Sequence, residues 1–126
     1  MNRKVTLTLL LIFTSVPSFS FQCPEPSLCS LSWGEPPAPW LNNPYSANEP
    51  QGEKGTQFVR ANILVTSTLG QGVACTYQNS IGLFSIWWPV RTMVPSRQDY
   101  RWISTLGGYI CNQSIEICSF EAIASS

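Results

Sequence analysis

Phe58-Val-Arg-Ala-Asn-Ile-Leu-Val-Thr-Ser-Thr-Leu69 decides the fold class. The stretch is rich in β-branched and apolar residues and runs into Gly70-Gln-Gly72, so it reads as a strand closed by a turn. Val73-Ala-Cys-Thr-Tyr-Gln78 reads as a second strand, and Asn79-Ser-Ile-Gly82 as the turn after it. Leu83-Phe-Ser-Ile-Trp-Trp88 is a third strand, antiparallel to the second because the connection is so short. Pro89 and Pro95 bracket a loop, and Gln98-Asp-Tyr-Arg-Trp-Ile103 suits a short helical turn or a strand equally. Gly107-Gly-Tyr-Ile-Cys-Asn112 and Glu116-Ile-Cys-Ser-Phe120 are expected to form a terminal hairpin. No heptad, repeat or long amphipathic segment is present. The expected fold is all-β, or β-rich α+β: a small antiparallel sheet or sandwich.

Upstream the composition changes. Residues 21–57 hold seven of the ten prolines, Pro24, Pro26, Pro36, Pro37, Pro39, Pro44 and Pro50. Proline removes backbone donors and drives the preceding residue toward extended conformations, which rules out a long helix. Leu28-Cys-Ser-Leu-Ser-Trp33 suits one short edge strand, and the rest reads as turns and loop. Residues 21–57 are thus expected to be a proline-rich arm and residues 58–126 the β core, together one folded unit.

Ahead of the arm stand Arg3 and Lys4, an apolar run over residues 5–13, and the small, turn-prone Thr14-Ser-Val-Pro-Ser-Phe-Ser20. This is the layout of a secretory signal peptide over residues 1–20. The apolar run is about nine residues, against the roughly 20 a spanning helix needs. Ser18 and Ser20 supply small residues at the −3 and −1 positions, so Phe21 is the expected mature N-terminus. Gln22 before Cys23 argues against lipidation, and Pro89 breaks the richest later apolar stretch, so no stable membrane insertion is expected after cleavage.

Cleavage removes two of seven basic residues and none of seven acidic ones, so the mature charge is 5 − 7 = −2. Such a chain has no basic field for phosphate, which excludes nucleic acid as a partner. The expected location is periplasmic or secreted, where cysteines oxidise. The chain has five cysteines and no histidine, which favours disulfides over a metal site. The bridging candidates are Cys23, Cys75, Cys111 and Cys118. One arrangement joins Cys111 to Cys118 across the terminal hairpin. The other joins Cys75 to Cys111 and Cys23 to Cys118. The second is preferred, because the longer loop stabilises more and the arm has little else to hold it. Cys29 is then the unpaired thiol.

Cys75-Thr-Tyr-Gln-Asn79, the Gly82 turn, Trp102, Tyr109-Ile-Cys111 and Cys118-Ser-Phe120 form a spaced set with the opening Cys23-Pro24. In these residues the chain resembles a family of short exported proteins of unknown function, known mainly from Gram-negative bacteria, including intracellular pathogens. The resemblance implies a signal peptide and a cysteine-braced domain, brings no catalytic residues, and leaves Cys29 outside its pattern. Asn112-Gln-Ser114 fits the N-glycosylation pattern, which has no force in a bacterial protein.

With no histidine and one mature lysine, no ordinary nucleophile–base pair can be assembled. Paired carboxylates could serve glycoside hydrolysis, but four of the seven acids lie in the arm and none has an apolar setting. No cofactor is expected. Tryptophan is the remaining signal: Trp33, Trp40, Trp87, Trp88 and Trp102. On a strand Trp87 and Trp88 point to opposite faces, so one fills the core and the other meets solvent, the arm or a partner. Trp33 and Trp40 are expected to cover the outward face; the alternative is an exposed aromatic platform that Trp102 joins. The function expected is non-enzymatic binding of a macromolecule. The alternatives are a carbohydrate-binding module, which needs two coplanar exposed tryptophans, and a small secreted enzyme or enzyme inhibitor.

Overall fold

The computed structural model describes residues 18–26, 36–50 and 53–123. The described residues form eight strands and no helix: β1 (Ser18–Phe21), β2 (Leu41–Asn42), β3 (Gln57–Thr66), β4 (Leu69–Gln78), β5 (Leu83–Trp88), β6 (Ile103–Thr105), β7 (Gly108–Cys111) and β8 (Phe120–Ile123). Six strands make one antiparallel sheet in the order β2-β5-β4-β3-β7-β6, and β1 pairs with β8 in a separate ladder. The fold is all-β, as the period-2 stretches require. The segment Leu28–Trp33, and with it Cys29 and Trp33, lies outside the described residues.

The central hairpin is longer than the sequence suggests. β3 and β4 have ten residues each and turn at Ser67-Thr68, with Ser67 at φ 67°. Gly70 and Gly72 were expected to form this turn; both lie inside β4 instead. Their lack of a side chain serves close approach. A Cβ on Gly70 would fall 1.8 Å from Thr92 Oγ1, and one on Gly72 would fall 2.2 Å from Trp87 Cη2. The Asn79–Gly82 turn stands as expected: Asn79 N–H donates to Gly82 O, and Asn79 Oδ1 accepts from the Ile81 and Gly82 amides.

The expected terminal hairpin does not form. β7 pairs with β3 and β6, while β8 pairs with β1. The ambiguous segment before it is a turn, closed by Trp102 N–H onto Asp99 O, that leads into β6. The short hairpin is therefore β6–β7, through Leu106-Gly107. β8 is drawn instead onto the 91–93 segment, where Met93 N–H donates to Glu121 O and Ile123 N–H to Arg91 O. Thr92 bridges Gly70 on one side and Ala122 on the other, which ties the ladder to the start of β4.

The core lies on one face of the six-stranded sheet. Ile86 opposes Cys75, Cys75 opposes Ala61, and Ala61 opposes Cys111; all four are 0% exposed. Trp88, Val73, Ile63 and Tyr109 form the next row. Phe120 of β8 closes over them, 6.1 Å from Trp88 and 6.3 Å from Trp40 between ring centroids. Both disulfides are in this layer. They join Cys23 to Cys75, Cα atoms 5.9 Å apart, and Cys111 to Cys118, 5.6 Å apart. The preferred pairing of Cys75 with Cys111 and Cys23 with Cys118 is thus replaced. Cys75 and Cys111 flank Ala61 on different strands, each aimed at its own partner. The local pair spans a turn, with Cys118 N–H on Ser114 O at 2.8 Å, and not a hairpin.

Candidate functional site

The opposite face of the same sheet has no second layer packed over it among the described strands. One register row crosses all six strands there. Leu41 opposes Trp87, Trp87 opposes Ala74, Ala74 opposes Asn62, Asn62 opposes Ile110, and Ile110 opposes Ile103. Directly opposed residues share a face, so these six side chains form a strip. Its ends are open, with Leu41 51% and Ile103 52% exposed, and its middle is half-buried. Leu64 adds a further exposed apolar side chain one row along, opposite Gly72 and Gly108. The strip carries no charged residue.

Trp87 is its centre. The indole lies across Gly72, where no side chain lifts it from the backbone. β5 is in turn fixed from its edge. Asn43 Nδ2 donates to Ser85 Oγ at 2.9 Å, Ser46 Oγ accepts from Ser85 N–H at 2.9 Å, and Asn48 Nδ2 donates to Leu83 O at 2.6 Å. These bonds hold the 43–48 loop beside Leu83 and Ser85 and leave the Leu41–Trp87 end open. An apolar strip set on paired strands is rigid, which lowers the ordering cost of any contact made on it.

The other tryptophans go elsewhere. Trp88 faces the core, 5.0 Å from Phe21 and 5.5 Å from Trp40 between ring centroids. Trp40 is buried there and does not cover Trp87. Its N–H donates to Pro37 O, in a turn with a cis Ala38–Pro39 bond. Trp102 is also buried in the core. The structure therefore withdraws Trp40 and Trp102 from any surface platform and leaves Trp87 with aliphatic neighbours. The residues that composition did not single out are Leu41, Ile103 and Ile110. Leu41 sits in an arm that reads as turns and loop, and the meeting of the three on one row depends on a strand order that brings residues 41 and 103 to opposite edges.

Arg101, Asp99 and Glu53 are engaged in local structure. Arg101 grips both oxygens of Asp99, Nε to Oδ1 at 2.8 Å and Nη2 to Oδ2 at 2.7 Å. Its Nη1 also donates to Ile117 O at 3.1 Å and Ser119 Oγ at 3.2 Å, so it knits the turn before β6 to the turn before β8. The hydrogen bonds from Arg101 hold the Asp99 carboxyl below its ordinary range and raise the guanidinium further. Asp99 and Glu121 both line a cavity of about 260 Å³ beside Trp102. A proton-donating acid needs its pKa raised, and Asp99 is moved the other way. Glu53 is likewise lowered, by its hydrogen bonds from Ser80. Among the described residues, no group of three histidine, cysteine or carboxylate side chains is placed to hold a metal ion.

The bridges fit an oxidising compartment. Among the described residues, no helix is long and apolar enough to cross a membrane. No curated protein and no solved structure matches the chain. A family model described as "Protein of unknown function (DUF3757)" matches residues 16–121. That match spans both bridges and the whole six-stranded sheet, and by it the chain belongs to this uncharacterised family.

Proposed function

We propose that this protein is a non-enzymatic binding domain, exported by its N-terminal leader to the periplasm or the exterior, which takes a protein partner on the outer face of its six-stranded sheet. The observation that carries this reading is the uncharged row Leu41–Trp87–Ala74–Asn62–Ile110–Ile103. An indole held flat among aliphatic side chains suits the centre of a protein interface, where tryptophan anchors dominate the energy. A sugar ring is better met by two coplanar aromatics with polar side chains beside them; of the described tryptophans only Trp87 is on this face.

The test places a photo-crosslinking side chain at Ile103 on the strip, or at exposed Ile81 in the Asn79–Gly82 turn as control, in the cell envelope. The expected result is a protein adduct of one defined mass from position 103 alone, lost when Trp87→Ala is added. Equal labelling from both positions, or none, overturns the reading. So does quenching of tryptophan fluorescence by polysaccharides that disappears in Trp87→Ala, which assigns the strip to sugar.

A further inference from the structure

The expected cut between Ser20 and Phe21 falls inside β1. Ser18, Phe19, Ser20 and Phe21 oppose Ile123, Ala122, Glu121 and Phe120 in register. A bond held in a strand ladder is not free to enter a peptidase, so cleavage during export precedes folding and β1 loses three of its four residues. Phe21 remains. Its ring stays against Trp88 at 5.0 Å, and Cys23, two residues on, is bridged to Cys75.

The consequence falls on β8. Glu121 O and Ile123 N–H are spent on Met93 and Arg91. Successive residues of a strand turn their backbone groups to opposite sides, so Ala122 turns its N–H and C=O toward Phe19. Once residues 18–20 are gone, those two groups have no strand to pair with. Beside them is a shallow cleft of about 390 Å³ whose walls include Trp88, Val90 and Ile123, with Arg91 at its side. Phe19 and Phe21 line that cleft, while Ser18 and Ser20 occupy the alternate positions.

We infer that leader removal opens one strand position on β8, and that this position takes an extended segment of a different protein, antiparallel to β8, with an aromatic or large apolar side chain in the place of Phe19. The leader strand shows the occupant's chemistry directly: backbone pairing supplies the attraction, and the alternate side chains Phe19 and Phe21 lie along the wall of the cleft, Phe19 still 55% exposed. This surface is separate from the Trp87 strip and stands or falls without it.

Two chains test the inference, residues 21–126 and residues 16–126, the latter holding every described strand. Amide exchange at Ala122, read by NMR, should be at least tenfold faster in 21–126. A synthetic peptide of residues 14–20 should slow it in 21–126, leave 16–126 unchanged, and lose its effect with Phe19→Ser. Phe19→Pro within 16–126 should restore fast exchange at Ala122 with both disulfides intact, which separates loss of the strand from loss of the fold. Equal exchange in the two chains, a peptide without effect at millimolar concentration, or self-association of 21–126 that protects Ala122 overturns the inference. The family match begins at residue 16, so the mass of the exported protein is decisive as well: a chain beginning at or before Ser18 keeps the position filled and ends the proposal.

Discussion

The two faces of the six-stranded sheet are built from alternate residues of the same strands, yet they differ in kind. On the inner face, Ile86, Cys75, Ala61 and Cys111 form a row with no exposed surface, and both disulfides leave from it. One residue along on each of these strands, Trp87, Ala74, Asn62 and Ile110 form a row that stays half open. The inner row answers to cross-links and packing density. The outer row is uncharged and, apart from Asn62, apolar; its middle is half-buried, and no second layer of described strands covers it. The covered core face and the face proposed to bind are thus separated by a single step along each strand.

The largest test of that separation removes the bridges. Replacing Cys23 and Cys75 together by alanine opens a loop of sequence separation 52 and should cost about 4 kcal/mol; replacing Cys111 and Cys118, separation 7, should cost about 2.5 kcal/mol. Urea unfolding without reductant measures both, and a reversed order would mean that the short bridge does more than close its loop. Ala61→Leu comes next. It forces bulk between Cys75 and Cys111 and should cost about 1–3 kcal/mol. If the variant were as stable as the parent, the inner face would not be close-packed.

Trp87→Ala should cost less, about 1–2 kcal/mol for a half-buried indole, while abolishing the adduct formed from position 103. A variant that unfolds outright would return Trp87 to the core and break the distinction between the faces. Gly72→Ala is finer. The new methyl occupies the place of the Trp87 ring edge, so the indole must tilt off the sheet at about 1 kcal/mol. A shift in tryptophan emission with both bridges retained is the expected signature. The smallest effect is expected at Asp99→Asn, below about 1 kcal/mol for an ion pair this open to solvent. Asp99 has a lowered pKa when folded, so its contribution is complete above the ordinary carboxylate range and is lost as pH falls through the lowered value. The acid limb of the stability curve should therefore be slightly flatter in Asp99→Asn, and identical curves would show that Arg101 gains nothing from the pair.

Much of the fold is legible in the residues. Leu83–Trp88 is a strand, Asn79–Gly82 is its turn, and the run before Gly70 is half of a hairpin, because each follows from short-range alternation or turn chemistry. The opposition of Trp87 and Trp88 is legible for the same reason. The errors share one cause. Gly70 and Gly72 resemble turn residues, yet they make room for Thr92 and Trp87, which arrive from other strands. Cys111 and Cys118 suggest the two sides of a hairpin, yet β7 and β8 find different neighbours. The disulfide choice failed because loop entropy ranks how strongly a bridge stabilises once formed and does not select which sulfurs meet.

Sequence alone determined that this chain is β-structured, that cross-links matter to it, and that one of two adjacent indoles must leave the core. Only the tertiary structure decided which indole leaves, which cysteines pair, and that Leu41 and Ile103 share a row with Trp87. Alternation and turn preference act over a few residues. Strand order and register arise from contacts between distant segments, among which many pairings are locally equivalent until the core is packed.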